Sequence, residues 1–292
     1  MKIGVIGGSG VYALENLEAV RYEAIDTPFG SPSDAYCCAT LGGVDLVFLP
    51  RHGREHRIMP SEINHRANIY GFKALGVDCV ISISAVGSLK EHIHPRDIVL
   101  PDQYYDRTKT SGEHTFFGNG VVAHVSMADP TCPSLRNLMA EVARDVIERE
   151  GLGHNVHAGG TYVNMEGPAF STRAESNVYR SHGFEVIGMT SLGEAKLCRE
   201  AEICYQPMAM VTDYDCWHEE AGNVTVDMVI EHLVANTKLA KATLAALVHA
   251  VDGARECSCR SAMQGAILTP AASIRAEDRD RLGVMLSRHM DV

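Results

Sequence analysis

The stretch PMAMVTDYDCW places Asp213 and Asp215 on either side of Tyr214, directly after an apolar run. Carboxylates at the end of a buried strand lose hydration, and two of them close together cannot both ionise easily. One is then pushed toward its protonated form and becomes a proton donor near neutral pH. Alternation along a strand would aim both acids at one ligand and turn Tyr214 away.

Three further stretches carry groups suited to an anion. PRHGREHRIMP crowds Arg51, His52, Arg54, His56 and Arg57 into one loop after a strand-like run. It reads either as a solvated basic loop or as a site where Arg51 grips phosphate oxygens bidentately. Gly8-Ser9-Gly10-Val11-Tyr12-Ala13 fits the dinucleotide pattern G-x-G-x-x-A, with Asp26 following. The same loop also suits a phosphate oxyanion held by backbone N–H groups, or a plain turn. Only a short stretch then precedes the break DTPFGSPSD, which leaves little room for the helix a dinucleotide fold needs. ISISAVGSL ends a strand in Ser82, Ser84 and Gly87, where an anion can approach beyond a strand end. In NMEGPAFSTRAES, Glu166 is placed either as a cap or as a carboxylate for a ribose hydroxyl, and Phe170 offers a face to a flat ring. Neither a P-loop nor H-E-x-x-H occurs, and His92 and His94 in EHIHPRD read as a surface turn.

These groups sit in a chain of 292 residues with 26 basic and 37 acidic side chains, a net charge of -11. Such a balance argues against nucleic acid as a partner. No apolar stretch reaches the roughly 20 residues that cross a bilayer, so no membrane is expected. The opening MKIGVIGGSG reaches glycines too early for a signal peptide, which makes a soluble cytoplasmic protein the default. Nine cysteines, several in apolar contexts such as Cys79, Cys198 and Cys204, read as reduced core residues. The C-x-C pair Cys257 and Cys259 is left open between free thiols, a local disulfide and a metal site.

The elements that must position these groups alternate. KIGVIGG, VDLVFLP, VDCVISISAVG, DIVLPD, GGTYVNMEG, FEVIGMT and ICYQPMAMVTDYD are strand-like, mostly apolar and bounded by Gly or Pro. Between them EINHRANIYGFKAL predicts a helix burying Ile63, Ala67, Tyr70 and Ala74. PSLRNLMAEVARDVIERE, TRAESNVYRSHG and the long run 224–251 predict three more. The alternation indicates an α/β fold: a single domain with a central mixed β-sheet flanked by helices. Residues 1–252 form the expected catalytic domain, and 253–292 an appendage, helical or in contact with another subunit.

The segments GVIGGSG, DTPFGSPSD, RHGREHRIMPSEINHRANI, GSLKE, DQYYDRT, MADPTCP, EGPAFSTRAES and TDYDCW occur in an order that resembles the trimeric purine nucleoside phosphorylase family. The resemblance spans roughly residues 1 to 250 and is closest to the 5'-methylthioadenosine phosphorylase branch. It implies a cytoplasmic homotrimer or dimer of trimers in purine and methionine salvage. The substrates it implies are a nucleoside and inorganic phosphate, with phosphate a co-substrate and neither metal nor organic cofactor required. It places Ser9, Arg51, His52, Ser84, the Ala85 backbone and Thr190 around phosphate. Met189 lines the ribose, Phe170 and Ser171 border the purine, and Asp213 and Asp215 read it. Val226 and Val229 form part of an apolar 5' pocket, and His124 comes from a neighbouring subunit. Relatives often carry threonine where this chain has Ser9 and Ser84; the hydroxyl is kept.

The reaction so implied is phosphorolysis, with Asp213 as the proton donor to purine N7. An adenine 6-amino group donates, so its reader should accept, whereas a 6-oxo group asks for a donor. Two aspartates therefore favour adenine. The alternatives are a phosphorylase for 6-oxopurine nucleosides (inosine, guanosine or methylthioinosine) and a non-catalytic nucleoside-binding module.

Overall fold

The apolar N-terminal run forms β1 (Lys2–Gly7), an interior strand of a mixed sheet that has eleven strands among the described residues. The structure, a computed structural model, describes residues 1–8, 10, 14–109, 113–218, 226–251 and 257–289, with the backbone alone at 226–231 and 233. The remaining strands are β2 (Glu18–Glu23), β3 (Tyr36–Leu41), β4 (Val44–Pro50), β5 (Cys79–Ser88), β6 (Ile98–Leu100), β7 (Gln103–Arg107), β8 (Val156–Ala158), β9 (Thr161–Met165), β10 (Val186–Gly188) and β11 (Cys204–Asp213). The helices are α1 (His65–Ala74), α2 (Pro133–Arg149), α3 (Arg173–Ser181), α4 (Ser191–Glu200), α5 (Val226–Ala250) and α6 (Ala276–Leu286).

Strands β4, β1, β5 and β11 lie side by side and parallel, so their carboxyl ends share one edge of the sheet. The long strand β5 forks the sheet. Its pairing with β1 runs from Cys79 to Ser82, and β10 joins antiparallel only at Gly87 and Ser88. Residues 83–86 thus have β11 on one side and no described strand on the other. A cleft opens at that fork, where ligands of open α/β sheets are expected.

Side-chain alternation divides the core between the two faces of the sheet. Ile3 and Val5 pack with Leu135, Met139, Leu244 and Leu247 of α2 and α5. Ile6 packs on the other face with Phe72, Leu197 and Leu282 of α1, α4 and α6. The C-terminal segment is part of this second cluster through Met263, Ile274, Leu282, Met285 and Leu286. Arg281 Nη1 also donates to Phe116 O at 2.9 Å. Among the described residues, no helix is long and apolar enough to cross a membrane.

Two sequence expectations are corrected. The buried face of α1 is His65, Ala67, Asn68, Ile69, Gly71 and Phe72, while Ala74 is exposed and Tyr70 half-buried. The buried Tyr36 hydroxyl donates to Asn68 O at 2.8 Å, and a Cβ at Gly71 would lie 2.1 Å from that hydroxyl. The helix is turned so that glycine and asparagine, rather than alanine, meet the tyrosine. The dinucleotide reading fails on context: residues 14–17 are irregular and lead into β2, a strand where that motif needs a long helix.

Candidate active site

A cavity of about 300 Å³ lies at the fork, lined by residues from every strand that ends there. The lining includes Gly8 beyond β1, Arg51, His52 and His56 beyond β4, Ser84, Ala85 and Gly87 of β5, Thr190 beyond β10, and Asp213 and Asp215 at the end of β11, with Phe170, Met189 and Met165. Nine of the expected site residues are thereby brought together: Arg51, His52, Ser84, Ala85, Phe170, Met189, Thr190, Asp213 and Asp215. Ser9 lies outside the described residues, as do the side chains of Val226 and Val229. His124 is exposed, absent from this cavity's lining, and its backbone N–H donates to Ala266 O in the C-terminal segment.

Arg51 is only 2% exposed, and its bidentate fork faces a buried carboxylate. Nε and Nη2 both meet the carboxylate of the fully buried Glu194, while Nη2 also reaches Ser82 Oγ at 2.7 Å and Nη1 reaches Ile83 O at 3.2 Å. The bidentate grip on phosphate expected of Arg51 is therefore turned onto Glu194. Glu194 Oε2 accepts in addition from Ser82 Oγ at 2.6 Å and Tyr205 Oη at 2.9 Å. This network ties the loop after β4, strand β5, helix α4 and strand β11 into one rigid floor. An acid in the otherwise apolar run SLGEA was its only signal in the sequence. Of the other basic residues in the loop, Arg54 pairs with Asp34 and Arg57 with Glu55, both at the surface.

His52 supplies a different kind of group. Its Nδ1 lies 2.8 Å from Ile58 O, and a carbonyl can only accept, so Nδ1 carries the proton. Burial, reinforced by the Arg51 charge, pushes the imidazole down to about 4. The ring is neutral at pH 7, and Nε2 is an acceptor suited to the hydroxyl of a protonated phosphate. Thr190 stands at the N-terminal cap position of α4, whose positive dipole end favours the same ligand. In an NMR titration of the free protein His52 is expected to titrate near pH 4. Inorganic phosphate should raise that value by on the order of one unit as negative charge arrives. An ordinary titration near pH 6.5, unmoved by phosphate, would contradict this placement.

Strand alternation does not bring the two acids together. Strand β11 ends at Asp213 after a register shift, and Asp215 adopts a left-handed backbone with φ of 52°. The pair is closed by a local turn in which Asp215 N–H donates to Asp213 Oδ1 at 2.8 Å. Thr212 Oγ1 donates to Asp213 Oδ2 at 2.7 Å, while Asp215 Oδ2 is buried with no hydrogen-bond partner among the described residues. Burial raises both carboxyls above the usual range. The Thr212 hydroxyl opposes this at Asp213; the hydroxyls of Ser176 and Ser171 and the Cys216 N–H oppose it at Asp215. Ser171 thus stands behind Asp215 and is not part of the cavity lining. Gly87 permits the close approach, because a Cβ there would lie 2.9 Å from Asp213 Oδ1 and 3.2 Å from Asp215 N.

Phe170 is 52% exposed, an aromatic face open to a flat ligand. Glu166 accepts from Lys109 N–H and lines an adjoining cavity of about 260 Å³ that shares Met189 with the first. Asn236 and Thr237 of α5 complete the lining, and Asn236 Nδ2 anchors that helix to Val211 O at 2.9 Å. Neither was read from the sequence, where they lie inside a long helical run. The cavity thus brings anion-suited groups together with two buried carboxyls, both raised above the usual carboxyl range by burial, and with apolar and aromatic side chains.

A family model described as the phosphorylase superfamily matches residues 2–251. The chain is 53% identical over 288 residues to a protein of Geobacter sulfurreducens named S-methyl-5'-thioadenosine phosphorylase, covering 99% of each. A solved structure described as methylthioadenosine phosphorylase from an antarctic soil metagenomic library superposes with a TM-score of 0.91 at 44% identity, covering 97% of this chain and 98% of that one. A methylthioadenosine phosphorylase from Schistosoma mansoni in complex with adenine superposes at 0.83 with 35% identity, covering 92% and 99%.

Proposed function

This chain belongs to the phosphorylase superfamily, and we propose that it catalyses the reversible phosphorolysis of S-methyl-5'-thioadenosine to adenine and 5-methylthioribose 1-phosphate. It is a pentosyltransferase. Two acids joined by one turn, in the same cavity as Arg51, His52 and Thr190, carry the reading, because that combination serves both ends of the bond that breaks.

Phosphate bound beside His52, Ser84, the Ala85 backbone and Thr190 attacks the anomeric carbon of the sugar. As the C–N bond breaks, its electron pair moves onto the purine, and positive charge gathers on the sugar next to the phosphate. Asp213, whose carboxyl is raised above its usual range by burial and by the neighbouring Asp215 charge, gives its proton to N7 of the departing base. Asp215 accepts from the 6-amino group, and Phe170 covers the ring. Met189 lines the ribose side. The co-substrate is inorganic phosphate, and the reaction as drawn uses no metal or organic cofactor.

His124 is assigned to the cavity of a neighbouring copy, consistent with its exposure and its absence from the lining of its own cavity. The active unit we propose is a homotrimer, alone or paired as a dimer of trimers. A cytoplasmic location and a role in purine and methionine salvage complete the proposal.

Comparing phosphorolysis of methylthioadenosine, methylthioinosine and inosine tests the substrate. Methylthioadenosine should be strongly preferred; robust inosine turnover without methylthioadenosine activity would overturn the assignment. Asp215→Asn replaces an acceptor with a donor facing the 6-position. It should shift the methylthioadenosine to methylthioinosine preference by about 100-fold or more toward the 6-oxopurine, as left-unpaired polar groups at a reading site do. An unchanged ratio would show that Asp215 does not read that position.

A further inference from the structure

We propose that Cys132, Cys204, Cys257 and Cys259 hold one zinc ion that ties the C-terminal segment to the sheet, at the end of β11 remote from the acids. The four sulfurs all lie within 4.8 Å of one another, although they come from three distant parts of the chain. Cys132 is the residue before α2, Cys204 opens β11, and Cys257 and Cys259 bracket the turn that starts the C-terminal segment. Three of the four are buried, and Cys257 is half-buried. No other group of metal-ligating side chains this close occurs among the described residues.

The shape suits one ion. Four thiolates at about 2.3 Å from a tetrahedral zinc stand roughly 3.8 Å apart, comparable with the spacing here and too tight to enclose a cluster of several irons. None of the nine cysteines is in a disulfide, and Cys204 Sγ and Cys257 Sγ stand 3.0 Å apart, well beyond the bond length of about 2.05 Å. A disulfide pairs two sulfurs, whereas each sulfur here is close to three others.

Charge points the same way. Arg199 is 9% exposed and is in no ion pair among the described residues; its guanidinium donates to Cys259 Sγ at 3.8 Å. A buried guanidinium without a carboxylate needs negative charge nearby. Neutral thiols do not provide it, and a tetrathiolate zinc centre, carrying a formal charge of about two negative units, does. The N-terminal end of α2 adds its positive dipole at Cys132. The site departs from the metal-free expectation drawn from the sequence and resolves the open C-x-C pair. It is not part of the chemistry: β11 spans ten residues, which sets the sulfurs about 30 Å from Asp213.

Zinc content of protein expressed in zinc-replete medium and purified under reducing conditions tests the proposal. About one zinc per chain is expected. Cobalt added to the metal-stripped, reduced protein should give sulfur-to-cobalt charge-transfer absorption and the visible bands of a tetrahedral ion. The double variant Cys257→Ser/Cys259→Ser should lose the zinc, keep phosphorolysis within about threefold at 25 °C, and melt about 5 °C or more below the parent. Arg199→Met should weaken zinc about tenfold in chelator competition, as loss of a supporting hydrogen bond does, while Cys38→Ser leaves it unchanged. Reduced parent protein that takes up neither zinc nor cobalt overturns the proposal even if the variants fail to fold. So does zinc retained by the double variant, or protein isolated metal-free with the four sulfurs in two disulfides.

Discussion

Asp213→Asn is expected to lower kcat for methylthioadenosine phosphorolysis by about 100- to 10,000-fold, the range lost when a positioned proton donor is removed. The substitution keeps the shape, and its amide oxygen can still accept from Asp215 N–H. It removes only the proton that passes to the leaving base, so KM should change little by comparison. The pH profile supplies a second readout. Burial raises the pKa of Asp213, and the proton is needed on it, so activity persists above the ordinary carboxyl range and falls as pH rises through the raised value. Because the two acids interact, that limb belongs to the pair and not to one residue. Asp213→Asn should abolish it. A variant that keeps a third of the parent's kcat and its alkaline limb would remove Asp213 from the donor role.

Glu194→Leu is expected to destabilise the fold by about 3–5 kcal/mol, measured by urea unfolding, because it strands the buried Arg51 guanidinium without its counter-charge. Ser82 and Tyr205 lose an acceptor at the same time. Adding Arg51→Met should restore most of the stability, since an apolar pair can replace a buried ion pair at little cost. Phosphorolysis should stay impaired in the double variant, because Arg51 lines the anion wall. A loss below about 1 kcal/mol in the single variant would mean the Arg51–Glu194 pair does not govern the floor of the site.

The two experiments probe the acids of the cavity and the network beneath it, and the residues behind them were not equally visible in the sequence. Asp213 and Asp215 were conspicuous because acids following PMAMV violate the apolar pattern around them. Glu194 was not, because a single acid within a helix is ordinarily a solvated surface group. Its burial follows from Arg51, a residue 143 positions away in the chain. The sequence leaves the C-terminal segment open between a helix and a subunit contact, since nothing in its composition points to Phe116 or to the second core cluster.

What the sequence determined by itself was local: strand runs set by apolar, β-branched residues, helices set by their period, the family by ordered motifs, and the types of group able to do chemistry. What only the tertiary structure decided was partnership. Strand alternation predicted a shared direction for the two acids, and the structure joins them instead through a turn and a left-handed Asp215. The loop chemistry predicted an arginine clamp on phosphate, and the structure commits that clamp to Glu194. Helical period placed Tyr70 and Ala74 inside, and the buried Tyr36 turned the helix away from them. The reason is the same in each case. Periodicity fixes which way a side chain leaves its own element, whereas its partner depends on which distant segment packs against it.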